Sequence, residues 1–269
     1  MEAPLPGAST VIIRHLMSAT IAPALELRGI EKSFGSVQAL RGADFEVRDG
    51  EVMALVGDNG AGKSTLIKCV AGIYSIDEGE VLFRGEPVKI HGPKDATKHG
   101  VEVVYQDLAL CDNLDVVQNM FLGREDHDPI YRLREAEMER RATETLKTLS
   151  VTTIRSVRQP VAQLSGGQRQ SVAVARAVMW KGQVLFLDEP TAALGVAQTR
   201  QVLDLVRRLA EQNLSVVLVS HNLVDVFEVA DRITVLRLGR TVGIYEKEKT
   251  TEQAIVQAIT AGIPEPEAA

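Results

Sequence analysis

Cysteine is scarce in this chain: 269 residues contain two, Cys69 and Cys111. Neither has a partner at metal-ligand or Cys-x-x-Cys spacing, which excludes zinc ribbons, dithiol redox motifs and a disulfide framework. Both read as small reduced core residues, as expected of a cytosolic compartment. Long apolar runs are missing too. The longest are strand-sized, such as V-V-L-V at 216–219, well short of the roughly 18 residues a membrane-spanning helix needs. Any membrane role is therefore expected to run through a partner. Cationic excess is also absent, with 30 Lys and Arg against 36 Asp and Glu. Interspersed charges of net −6 carry no nucleic-acid footprint, and Arg132, Arg134, Arg140 and Arg141, alternating with glutamates, read as a solvated helix face. The N-terminus lacks the basic start and apolar core of a secretory signal. Residues 1–23 are expected to form a flexible extension, with Met17 as the natural start, and 263–269 a disordered tail.

What the chain does have is apolar content of 45%, enough to bury a sizeable core. A strand pattern opens at 25–34, and 43–52 looks like a hairpin closed by Asp49-Gly50. The apolar run V-M-A-L-V at 52–56 reads as a buried strand, followed by a glycine-rich turn and a helix to about residue 72. A small hairpin spans 79–90 and a strand 101–105. Charged helical patterns without a convincing strand fill 113–159. After Leu164 come a helix at about 167–180, a strand at 184–187, a helix at about 197–212, a strand at 216–219, a short helix at about 222–230 and a strand at 233–236. Such alternation with near-continuous Val/Leu strands predicts an α/β fold with a parallel sheet covered on both faces.

The chemistry concentrates at the ends of these strands. Gly57, Asp58, Asn59, Gly60, Ala61, Gly62, Lys63, Ser64 and Thr65 complete a phosphate-binding loop, G-x-x-x-x-G-K-[ST], between a buried strand and a helix. Its glycines let backbone N–H groups curl around phosphate oxygens at a helix N-terminus. Lys63 would reach the β- and γ-phosphates, and the Ser64 hydroxyl would ligate Mg²⁺. V-L-F-L-D-E at 184–189 puts two acids at the carboxyl end of a strand. Asp188 suits the acid that holds Mg²⁺, largely through water, and Glu189 the residue that orients or deprotonates an attacking water. Gln106 and His221 close two further strands and are expected at the same sheet edge. Phe34 is either a ring that stacks on a base or a core residue. L-S-G-G-Q-R-Q at 164–170 looks like a second anion-facing helix start, or a simple helix cap with Ser165 as its N-cap.

The order of Phe34, the loop 57–64, Gln106, L-S-G-G-Q at 164–168, V-L-F-L-D-E and His221 resembles that of the ATP-binding-cassette (ABC) ATPases, over about residues 24–250. The resemblance implies a P-loop NTPase fold with a mostly parallel core sheet, an antiparallel β subdomain and an inserted helical subdomain at about 107–180. It implies one domain over 24–262. Phe34 would stack on adenine, and Gln106 would touch Mg²⁺ and the attacking water while sensing the membrane partner. Glu189 would be the catalytic base, and His221 would hold the γ-phosphate and water. Ser165, Gly166, Gly167 and Gln168 would cap the γ-phosphate bound by a second, antiparallel copy, making the protein a homodimer. Further implied are ATP and Mg²⁺, an integral-membrane permease docked on the helical segment, an indirect link to a periplasmic or extracellular solute-binding protein, no nucleic acid, and a peripheral place on the cytoplasmic face of the membrane.

The stretch 100–125 looks like that of monosaccharide-importer ATPases, which commonly fuse two cassettes where this chain has one. The other class the motifs admit is a soluble ABC ATPase unconnected to transport. One departure is sharp: after Thr191 the family usually reads S-A-L-D, whereas this chain reads A-A-L-G, with Gly195 in place of the aspartate that crosses toward the partner copy.

Overall fold

The computed structural model describes residues 22–180 and 182–263. Apart from residues 22, 23 and 263, the expected N-terminal extension, the Met17 start and the tail lie outside the described residues. In chain order the strands are β1 (Leu25–Phe34), β2 (Val37–Val47), β3 (Val52–Val56), β4 (Glu78–Phe83), β5 (Glu86–Val88), β6 (Val101–Val104), β7 (Val184–Asp188), β8 (Ser215–Val219), β9 (Arg232–Arg237) and β10 (Arg240–Glu246). The helices are α1 (Lys63–Val70), α2 (Pro93–Lys98), α3 (Val116–Phe121), α4 (Glu135–Thr148), α5 (Gly166–Met179), α6 (Val196–Glu211), α7 (Leu223–Val229) and α8 (Glu252–Ala261).

Six strands form one sheet in the order β10-β9-β3-β8-β7-β6, parallel except for β10. Four others form an antiparallel sheet, β2-β1-β4-β5. The apolar runs of β3 and β8 are buried at every position, which suits central strands of a covered sheet. Side chains alternate between its faces. Val52, Ala54, Leu185, Leu187, Val216 and Leu218 join the core built with α3–α8. Met53, Leu55, Phe186, Val217 and Val219 join the core shared with α1 and the antiparallel sheet.

Three expectations are corrected. Residues 43–52 are not a hairpin. The Asp49-Gly50 turn forms, with Glu51 N donating to Arg48 O at 3.3 Å, but β2 pairs with β1 and β3 inserts between β8 and β9. A turn dipeptide marks a reversal and not the pairing partner, and the unbroken V-M-A-L-V run has no polar face to leave on a half-exposed sheet. Second, the four arginines do not share a solvated helix face. Arg140 does pair with Glu137 and Glu144 in solvent. Arg132 sits in the preceding loop on Asp128, and Arg134 is the residue before α4. Arg141 lies with its guanidinium 5.1 Å from the ring centroids of both Phe121 and Trp180. Adjacent helical residues point about 100° apart, so Arg141 rolls its stem over the apolar seam. Third, Cys69 is buried, its thiol pushed up to about 11 by desolvation, but Cys111 is only half-buried.

The sequence reading passed over β10 and α8. The signal for β10 was a two-residue turn, Leu238-Gly239, with both residues at positive φ (47° and 80°), the backbone of a tight type I′ hairpin. Leucine there obscured it.

Candidate active site

Sheet order alone assembles the site. The loop that ends β3 opens α1. Next along the sheet, β8 ends at Val219 before His221; then β7 ends at Asp188, followed by Glu189; at the edge, β6 ends at Val104, two residues before Gln106. All four strands run the same way, so their chemistry gathers at one carboxyl edge, where ligands bind in open α/β sheets. A cleft of about 550 Å³ lies there, lined by Asn59 to Thr65, Gln106, Asp188 and Glu189. That volume suits a nucleotide-sized ligand.

Glycine is dictated at two loop positions by close approach. A Cβ on Gly57 would stand 2.2 Å from the Leu236 carbonyl oxygen, and one on Gly62, which precedes α1 at φ 108°, 2.9 Å from the Ala39 carbonyl oxygen. The loop is thus clamped on β9 and β2 by backbone contact. Lys63 is buried, and its Nζ donates to the carbonyls of Gly57 (2.7 Å) and Asp58 (3.1 Å). Desolvation lowers its pKa, while the negative charges of Glu189, Asp188 and Asp58 oppose that fall. Asp188 is shifted upward, first by desolvation and then by the charge of Glu189, with Lys63 and Lys68 pulling back. A buried lysine facing two acids is a charge pattern that an incoming phosphate anion and a divalent cation would jointly complete.

Glu189 sits in left-handed backbone at φ 51°, which costs a non-glycine residue about 1–2 kcal/mol. Its N–H donates to Val219 O at 2.9 Å, so β8 holds the turn. Its Oε2 is 2.7 Å from His221 Nδ1. A carboxylate only accepts, so Nδ1 carries the proton and Nε2 faces away from Glu189. The His221 side chain is 68% exposed and that of Glu189 16%.

The donor set fits Mg²⁺. Asp188, the Ser64 hydroxyl and Gln106 are hard oxygen donors lining one cleft, and this ion is typically held by one or two carboxylates plus phosphate oxygens and water. No cluster of three or more His, Cys, Asp or Glu able to hold a metal exists among the described residues.

Gly57 and Asp58 stand behind the cleft lining, on Lys63, and His221 meets the lining through Glu189; Phe34 and residues 165–168 stand elsewhere. Phe34 does not line the cleft. It is 41% exposed, so it is not a core residue, and it meets Tyr74 edge-on at 5.0 Å between centroids. Residues 165–168 open α5, away from the cleft. Ser165 Oγ accepts from Gln168 N (3.3 Å), while Gln168 Oε1 accepts from Ser165 N (2.9 Å), a reciprocal capping box. Ser165 and Gly166 are exposed and Gly167 is buried. A Cβ on Gly166 would meet Leu194 Cδ2 at 2.9 Å, and one on Gly167 would meet Gln198 Cβ at 3.2 Å. These glycines therefore also admit their own chain's α6 entry. Val37, Gln38, Ala39, Arg41 and Leu238 line the cleft as well; sequence reasoning missed them because no motif marks them and β2 and the β9–β10 turn reach the site only through tertiary packing.

The sequence matches the ABC transporter family over residues 40–192. A fructose import ATP-binding protein of Rhizobium meliloti is 45% identical over 251 residues, covering 91% of this chain and 96% of the relative. A xylose/arabinose import ATP-binding protein of Sulfolobus acidocaldarius is 44% identical, covering 88% and 94%. A ribose import ATP-binding protein of Rubrobacter xylanophilus is 42% identical over 90% of this chain, which spans about half (48%) of that relative. Among solved structures, a nucleotide-free cassette from an ABC transporter superposes with a TM-score of 0.76 at 24% identity, covering 89% of this chain and 95% of that one, a likeness of fold. A dimeric post-hydrolysis cassette bound to ADP and Pi gives a TM-score of 0.69 at 26% identity, covering 83% and 98%.

Proposed function

The chain belongs to the ABC transporter family, and from that membership we propose that it is the ATP-hydrolysing subunit of an importer that moves a small solute, most simply a monosaccharide, through a separate membrane permease. The observation that carries the chemistry is the single cleft in which the phosphate loop, Gln106, Asp188 and Glu189 meet. The loop's N–H groups and Lys63 bind the phosphates. Bound Mg²⁺, held by Ser64, Asp188 and Gln106, would neutralise charge on the β- and γ-phosphate oxygens. Glu189 orients and deprotonates the attacking water, and His221 steadies the γ-phosphate and that water through the nitrogen it does not offer to Glu189. Phe34, which pairs across the β1–β2 turn with the cleft-lining Val37, would stack on the base.

The residues at 165–168 serve a second copy. Ser165 and Gly166, at the start of α5, are exposed, so the helix N-terminus and its dipole can meet an anion on another chain. Two antiparallel copies then complete two sites, as a two-fold interface allows. No described helix is long and apolar enough to cross a membrane, so the permease would be a partner docked on the α3–α5 segment at the cytoplasmic face. A solute-binding protein would act through that permease. The relatives named for fructose, xylose/arabinose and ribose import support the sugar reading.

Purifying the tagged chain from its own membranes tests this. We expect an integral membrane protein to co-purify, and ATP turnover of the reconstituted pair to rise when a monosaccharide and its binding protein are added. Recovery with ribosomes or DNA and no membrane partner would favour the soluble ATPase.

Gly195 gives a second, smaller test. It precedes α6 in ordinary extended backbone (φ −74°, ψ 162°), and a Cβ there meets nothing within 4 Å. Gly195→Asp should fit, add a side-chain cap worth a few tenths of a kcal/mol over glycine, and raise the melting temperature by about 1 °C. In the assembled transporter it should change the Hill coefficient for ATP more than the single-site affinity. An unchanged Hill coefficient would make the departure neutral for coupling.

A further inference from the structure

Asp225 takes no part in the chemistry above, yet it is only 5% exposed. It lies in the first turn of α7, four residues after His221. Its Oδ2 accepts a 2.6 Å hydrogen bond from Thr191 Oγ1. Burying a carboxylate is costly unless it is paired, so this acid is retained against a cost. What it grips is the turn after β7. Glu189 (φ 51°) and Ala193 (φ 65°) are both left-handed, a backbone that side-chain-bearing residues disfavour, and Thr191 sits midway between them. Ala192 N donates to Glu189 O and Leu194 N to Thr191 O, each at 3.2 Å, so the turn is closed locally; β8 holds its start at Glu189, and Asp225 holds its middle at Thr191.

The loop after β8 is braced separately. Asn222 N donates to Ser220 Oγ at 3.0 Å, and Asn222 Oδ1 accepts from Val224 N at 3.1 Å. Two side-chain links then cross between the loops: His221 to Glu189, at the solvent-facing end, and half-buried Thr191 to buried Asp225. Neither Thr191 nor Asp225 lines the nucleotide cleft.

We propose that Thr191 and Asp225 are positioning residues, whose part-buried hydrogen bond, together with the backbone link from Glu189 N to Val219 O, sets the register between the turn carrying Glu189 and the loop carrying His221. The inference rests on Glu189 being the base. It follows that the 191 hydroxyl supports turnover and contributes nothing to nucleotide affinity.

Thr191→Val keeps the side-chain shape and removes the hydroxyl; Thr191→Ser keeps the hydroxyl; Asp225→Asn keeps an acceptor oxygen. In full-length protein, kcat and KM for ATP are measured together with binding of a fluorescent ATP analogue and thermal melting. Thr191→Val should lower kcat about 10-fold with KM and analogue affinity within about 2-fold of wild type, while Thr191→Ser and Asp225→Asn stay within about 2-fold throughout. Should Thr191→Val not stay folded at the assay temperature, Thr191→Val/Asp225→Leu, which leaves no buried unpartnered acid, carries the same expectation. Wild-type kcat in the hydroxyl-free variant overturns the proposal, and so does an equal loss in Thr191→Ser. Glu189→Gln is run alongside. If it retains turnover, the base assignment itself fails; if it is silent while Thr191→Val is normal, only the positioning role fails.

Discussion

Glu189→Gln is expected to bind ATP as tightly as the wild type and to turn it over at least about 10²-fold more slowly, the scale of losing a general base and about 2.7 kcal/mol of transition-state stabilisation. The substitution is nearly isosteric, and an amide oxygen can still accept the 2.7 Å contact from His221 Nδ1, so the strained turn has every reason to persist. The phosphate contacts proposed for the loop and Lys63 would be left intact. What disappears is the basic oxygen. Removing the negative charge also relieves Asp188, whose upward shift owes its second-largest part to Glu189, so cation-dependent nucleotide binding should hold or tighten. Rapid-quench turnover and equilibrium binding on one preparation check both halves. Binding and turnover lost in parallel would reduce Glu189 to a structural acid.

The second large effect concerns the two copies. Lys63→Ala and Ser165→Arg should each be inactive alone, and mixing them should bring activity back. In a mixed dimer one site combines both defects, while the other pairs an intact phosphate loop with an intact 165–168 segment. Random pairing makes half the dimers mixed, each with one good site of two, so recovery should approach about a quarter of wild-type activity if sites act independently. The geometry makes each single defect severe. Lys63 is the buried cation of the cleft, with Arg41 the other basic residue lining it. Ser165 is exposed at the start of α5, where arginine would place a bulky side chain across the approach. Cross-linking or light scattering must show that the chains pair; paired chains without activity would mean that residues 165–168 do not act in trans.

The fold class and most of the elements that carry the candidate site were legible from short stretches of sequence. The motif at 57–64, the acids at 188 and 189 and the helix start with Ser165 as its candidate cap are local: spacing of glycines, a strand that stops at a carboxylate, a serine just before a helical run. Unbroken Val/Leu runs likewise announced a sheet buried on both faces. Tertiary structure alone decided which strands are neighbours, and hence that β3, β8, β7 and β6 lay four distant segments side by side at one edge. It sent residues 43–47 and 52–56 to different sheets, carried Arg41 and Leu238 into the cleft, kept Phe34 off its wall and turned Arg141 onto Trp180. It also joined Thr191 to Asp225, 34 residues apart. The physical reason is the same in each case. Hydrogen bonding and conformational preference act over a few residues and leave a periodic signature, whereas burial is satisfied by any well-shaped apolar partner, so the partner is chosen by the whole packed core and is not written beside the residue that needs it.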